Sequence, residues 1–188
     1  MDSLFQEYKD SLVSGLNQVD HGDLMSFISE IEKMATSNQT LFIMGNGGSA
    51  ATATHFVNDL FALNLKFPEF NLNVESLTEN SSIVTALAND ISYVEIFNLQ
   101  LKVKAKSGDA LLILSASGNS ANLVKAAQWG REHGHRIFSM TGFDGGEIKK
   151  LSDFSIHIET KKGEYERAED LQLFVNHFIR YYLQRKYR

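Results

Sequence analysis

Before Thr40 the apolar residues recur at the three-and-four spacing of a helix face. Leu4, Phe5, Tyr8, Leu12, Leu16 and Val19 form one stripe; Leu24, Phe27, Ile28, Ile31 and Met34 form a second. Asp20-His21-Gly22-Asp23 breaks the pattern between them. From Thr40 the rhythm changes to short apolar runs separated by helical stretches. Leu41-Phe42-Ile43-Met44 reads as a buried strand, followed by a helix from about Ser49 to Leu65 and a strand near Asn71–Val74. Helical patterns follow at Ser81–Ala88 and Tyr93–Val103, then the fully apolar strand Ala110–Leu114 and a helix over Ala121–His133. Arg136–Met140 and Phe154–Ile158 complete about five strands, and a long helix spans about Arg167–Arg185. Strands alternating with helices predict parallel β-α-β units with right-handed crossovers. No linker or repeat interrupts the pattern, so residues 1–188 are expected to form one α/β domain, a doubly wound sheet with an N-terminal helical extension (1–37) and a long C-terminal helix.

Composition narrows the function classes. The chain is 43% hydrophobic and 22% charged, as in an ordinary globular protein, and its formal charge of -5 argues against a nucleic-acid partner. With no cysteine, disulfide and thiolate chemistry are excluded. No apolar run approaches a membrane span and the N-terminus lacks a signal-peptide pattern, so the expected compartment is the cytoplasm. The N-terminal helices and the last helix offer more apolar face than one sheet needs, which is the physical argument for an oligomer.

In an open parallel sheet, ligands bind where strands end and helices begin. Gly45-Asn46-Gly47-Gly48-Ser49-Ala50 occupies such a place, with Ser49 a candidate helix cap. Ser115-Ala116-Ser117-Gly118-Asn119-Ser120 is a second, whose hydroxyls, amide and helix-start N–H groups make a cradle for a phosphate dianion. Thr141-Gly142-Phe143-Asp144-Gly145-Gly146 is a third. Gly45-x-Gly47-x-x-Ala50 also satisfies the dinucleotide fingerprint, but the acidic residue that pattern needs about 20 positions on is missing, so no nucleotide cofactor is expected.

These residues resemble the sugar isomerase (SIS) family, and within it the phosphoheptose isomerases. The resemblance rests on Gly45–Ala50 followed by His55-Phe56, on Leu77-Thr78 with Thr85-Ala86 and Asn89-Asp90, on Ser115–Ser120, and on Thr141-Gly142 with Asp144-Gly145-Gly146. It implies the three-layer, flavodoxin-like SIS fold. It implies that Ser49, Ser115, Ser117 and Ser120 bind the phosphate of a ketose phosphate, and that Asn46 and Asp90 contact sugar hydroxyls. Gly47, Gly48, Asn89, Ala116 and Asn119 join the same expected substrate-binding set. Acid/base and metal positions fall on His55, Asp59, Glu169 and His177, with Zn2+ as the implied ion, Asp59 or Glu169 as the base and His177 as its partner. A homotetramer with its sites near subunit boundaries is implied too, as is a role in supplying heptose for lipopolysaccharide, capsule or surface layers from sedoheptulose 7-phosphate.

The chain departs from the family pattern at the chemistry. Asp59 stands where the family usually has glutamate, and Glu169 where it has glutamine. His55 and Asp59 share a helix face at i, i+4, whereas Glu169 and His177 are separated by about 12 Å of helical rise. An Asp one methylene short of a Glu loses reach, and a misplacement of about 1 Å costs on the order of a hundredfold in rate. Three readings remain open: a phosphoheptose isomerase in which Glu169 compensates, a non-catalytic sugar-phosphate-binding regulator, and an isomerase of another sugar, since Asn80, Ala116 and the Tyr165 region also depart. His21, His133, His135 and His157 match no site position and read as structural or surface residues. Arg167 is read either as a partner for a substrate oxygen or as one half of a surface ion pair.

Overall fold

The computed structural model describes residues 1–188. Five parallel strands form one sheet: β1 (Thr40–Gly45), β2 (Asn73–Ser76), β3 (Ala110–Ser115), β4 (Arg136–Thr141) and β5 (Phe154–His157), in the spatial order β2-β1-β3-β4-β5. The connections are carried by α3 (Gly47–Lys66), α4 (Ser81–Asp90), α5 (Ile96–Lys104), α6 (Ala121–Glu132) and the short α7 (Gly146–Leu151). Two helices precede the sheet, α1 (Asp2–Leu16) and α2 (His21–Ala35), and α8 (Tyr165–Lys186) follows it.

Alternation along the central strands sorts the helices into two layers. Leu41 and Ile43 of β1, with Leu112, Leu114, Phe138 and Met140, face one core built with α2, α3 and α8. Phe42 and Met44, with Leu111, Ile113 and Ile137, face a second core built with α5 and α6. Strands covered on both faces must be apolar at nearly every position, which is why β1 and β3 read as continuous hydrophobic runs. Phe138 is clasped between Phe27 and Phe154, with ring centroids 4.8 and 5.3 Å away.

Several boundaries differ from the periodicity for local reasons. The β2 ladder starts at Asn73, because the Asn64 side chain bonds both the N–H and the carbonyl of Leu72. The helix expected over Tyr93–Val103 opens as a 3₁₀ turn at Tyr93–Glu95, started by the Ser92 hydroxyl accepting from Val94 N–H. The six residues of α7 are too few to show a period. Asn80 is a helix cap, accepting from Ile83 N–H at 3.0 Å at the start of α4. The α1 helix buries only Gly15 and leaves Leu4, Phe5 and Val13 exposed.

Candidate active site

The strand order reverses between β1 and β3, and the loops leaving these two strands flank that switch point. After β1 the chain enters α3 at Gly47, with Asn46 in the cap position. Ser49 is therefore inside the helix, not its cap. It is buried, and its hydroxyl donates to Gln172 Oε1 at 2.8 Å, while the Gln172 amide donates to the Met140 carbonyl. Asn46 forms a reciprocal amide pair with the buried Asn122 of α6, both bonds 2.9 Å, and accepts from the Tyr93 hydroxyl at 3.0 Å.

After β3 the loop curls back on itself. Ser115 Oγ accepts from Gly118 N–H at 3.0 Å and Ser117 Oγ from Asn119 N–H at 3.2 Å. Each hydroxyl proton is thereby left to donate elsewhere. Ser120 caps α6 without using its side chain. Ser49, Ser115, Ala116, Ser117 and Ser120 line one cleft of about 70 Å³ together with Asn46 and Glu169. Asn119 supports this loop from behind: its amide bonds the Ser117 carbonyl and its Oδ1 accepts from Glu147 N–H. Gly118 has φ +63°, and a Cβ there would lie 1.9 Å from the Gly145 carbonyl oxygen. The third loop is thus packed under the second. Asn89 and Asp90 bond each other at 2.7 Å at the exposed end of α4, outside this cleft.

Two helices carry the ionisable groups. Residues further along α3 meet residues further along α8, so the pair runs parallel: Ser49 meets Gln172, His55 meets His177 and Asp59 meets Arg180. His55 Nε2 and His177 Nε2 are 2.9 Å apart. Asp59 Oδ2 lies 3.5 Å from the first and 3.9 Å from the second. Asp59 is buried whereas both imidazoles are about half exposed. The ligand-type atoms of His55, Asp59 and His177 all fall within 4.8 Å of one another, and two imidazoles with one carboxylate suit a divalent transition-metal ion.

The expected fourth member of that set, Glu169, lies elsewhere. Two helical turns before His177, its carboxylate sits against the N–H groups of Gly48 and Ser49 at the start of α3, in the space a Cβ on Gly48 would fill. Burial pushes its pKa above the usual carboxylate value and Glu166 adds to that, against the pull of the two N–H groups. Pattern reading missed Asn122, Gln172, Asn176 and Arg180. The last two sit on the α8 face that carries His177.

A model of the SIS domain matches residues 5–142 of the chain. A phosphoheptose isomerase of Dechloromonas aromatica is 33% identical over 177 residues, covering 93% of this chain and 90% of that protein. The chain belongs to the phosphoheptose isomerase family of SIS domains. Another relative of this family, from Mycobacterium tuberculosis, is 41% identical over 121 residues, a match that spans 64% of this chain and 61% of the relative's length. The structure of the phosphoheptose isomerase from Neisseria gonorrhoeae superposes with a TM-score of 0.84 at 23% identity, covering 97% of this chain and 96% of that one. The SIS fold expected from the loop motifs is the fold observed.

Proposed function

We propose that the chain is an aldose–ketose isomerase that converts sedoheptulose 7-phosphate to D-glycero-D-manno-heptose 7-phosphate. The observation that carries this reading is the His55–Asp59–His177 cluster, placed by the same helix pair that walls the serine-lined cleft.

The phosphate is held by the hydroxyls of Ser115, Ser117 and Ser120 and by the free N–H groups at the start of α6. Asn46, oriented by Asn122, meets the sugar hydroxyls. Anchoring the phosphate converts the proton transfers into reactions between positioned groups. In the ketose-to-aldose direction Asp59 takes a proton from C1 while His177 protonates the C2 oxygen, giving the enediol. Asp59 then returns its proton to C2 and His177 accepts the proton of the C1 hydroxyl. Asp59 is preferred to Glu169 as base because it lies beside His177. A Zn2+ ion held by His55, Asp59 and His177 would supply Lewis-acid polarisation of the sugar oxygens, the role that protonation by His177 fills when no ion is bound.

The chain is proposed to act as a single domain in a cytoplasmic homotetramer that feeds surface-polysaccharide synthesis. The apolar side chains exposed on α3 and α8 (Phe61, Leu65, Phe174, Phe178, Tyr181) support the assembly. No helix is long and apolar enough to cross a membrane.

The test is isomerisation of sedoheptulose 7-phosphate by the purified protein, with and without Zn2+. Turnover is expected, and H177A is expected to lose it by a factor of about a hundred or more. Unchanged turnover in H177A removes the assignment of the acid. Thermal stabilisation by the sugar phosphate without any turnover would instead identify a binding module.

A further inference from the structure

The carboxylate of Asp59 has a neighbour that the reaction above does not use. Arg180, one turn beyond His177 on α8, places Nε 3.3 Å from Asp59 Oδ1. The contact is an ion pair without a hydrogen bond: that Nε is buried and unpartnered as a donor, although the side chain as a whole is 41% exposed. The second oxygen, Oδ2, faces the two imidazoles and receives the Asn176 amide at 3.5 Å. Asn176 is fully buried and its own Oδ1 has no partner. The two oxygens of one carboxylate therefore have different surroundings: a guanidinium on one side, ligand-type nitrogens on the other.

We infer that Arg180 is a positioning residue that confines Asp59 to a single-oxygen contact with the His55–His177 pair and thereby weakens the hold of this cluster on a divalent cation. The inference rests on the metal and base roles proposed above for Asp59. Two physical effects act in the same direction. With Oδ1 turned to the Arg180 guanidinium, the carboxylate presents Oδ2 alone to an ion at the imidazoles. The fixed positive charge behind it also repels a dication at the imidazoles, and it does so at partly buried groups, where water screens less. The consequence for catalysis follows from the double role of Oδ2. An ion bound tightly would draw charge from Oδ2 and lower its basicity, whereas an ion bound weakly would leave it able to accept a proton.

The experiment is Zn2+ binding by the full chain, measured by competition with a chromogenic chelator. R180Q removes the charge at a half-buried position on α8, and R180K retains a charge without the planar fork. The expected result is Zn2+ affinity on the order of tenfold tighter in R180Q and close to wild type in R180K. In turnover assays R180Q should lower kcat with little change in KM, because the phosphate contacts lie elsewhere. Wild-type protein that takes up no Zn2+, or R180Q that binds Zn2+ no more tightly than wild type, overturns the inference. An R180K variant that behaves like R180Q overturns the charge argument. The binding result stands apart from the proposed activity: a chain that fails to isomerise sedoheptulose 7-phosphate still reports the effect of Arg180 on the ion.

Discussion

At the scale of single residues, burial and hydrogen bonding give different surroundings to two carboxylates carried by the α3–α8 pair. Asp59 is buried and faces imidazoles; Glu169 sits against backbone N–H groups with its pKa raised, chiefly by burial. A raised pKa means that, just above the ordinary carboxylate range, the folded protein holds a proton that the unfolded chain has lost. Stability attributable to Glu169 is therefore fully present below its unfolded pKa and declines as pH rises through the raised folded value. E169Q removes this titration. Melting temperatures followed from acid to neutral pH should show a flatter upper limb in E169Q than in wild type, and the two curves should converge at low pH. Parallel curves would mean that Glu169 does not titrate differently in the folded state. The Tyr8 phenol, pushed up to about 12 chiefly by burial and then by its bond to Asp170, joins α1 to α8. Y8F should cost up to about 1 kcal/mol in denaturant unfolding, as expected for one partly exposed hydrogen bond.

At the scale of elements, the loops after β3 and β4 behave as one unit. Gly118 occupies the left-handed region at φ +63° with the Gly145 carbonyl where its Cβ would be. G118A should therefore destabilise the protein by about 2 kcal/mol or more and abolish thermal stabilisation by a sugar phosphate. Full stabilisation by ligand in G118A would show that the loop tolerates a displaced backbone. The loops were legible in the sequence because Ser, Gly and Asn between an apolar strand and a helix mark a strand end whatever the surroundings. The side chains that organise them were not. Asn122 lies two residues past Ser120, a spacing with no meaning until α6 is packed beside Asn46. Asn176 and Arg180 flank His177 at spacings found on every helix, and only the register of α8 against α3 brings them to Asp59. The same register carries Glu169 to the start of α3, away from the histidines with which the family pattern groups it.

At the scale of the molecule, the two apolar cores meet across a sheet that is buried on both faces. The strand alternation announced this architecture, and the family motifs sharpened it. Phe138 stands at the centre of the larger core between Phe27 of α2 and Phe154 of β5. F138A should cost about 3–5 kcal/mol in equilibrium denaturation, since the sheet and the helix layer over it cannot collapse together into the space left behind. A loss below about 1 kcal/mol would mean that the core repacks. The exposed aromatic and aliphatic side chains on α3 and α8 predict a particle larger than one chain, to be measured by light scattering; a monomer at micromolar concentration would leave that face unexplained.

The parallel docking of α3 on α8 also makes the site a ruler. A helix cannot stretch, so the distance from Ser49 in the buried lining of the cleft to the histidines is counted in residues: the six steps from Ser49 to His55 amount to about 9 Å. In the proposed reaction the reach from the phosphate cradle to the proton-transfer groups would be set by the spacing of two rigid rods, independently of how much space the walls enclose. Removing one residue from α3 between these marks would shorten the scale by about 1.5 Å and turn every later side chain by about 100°, pointing His55 and Asp59 away from their partners on α8.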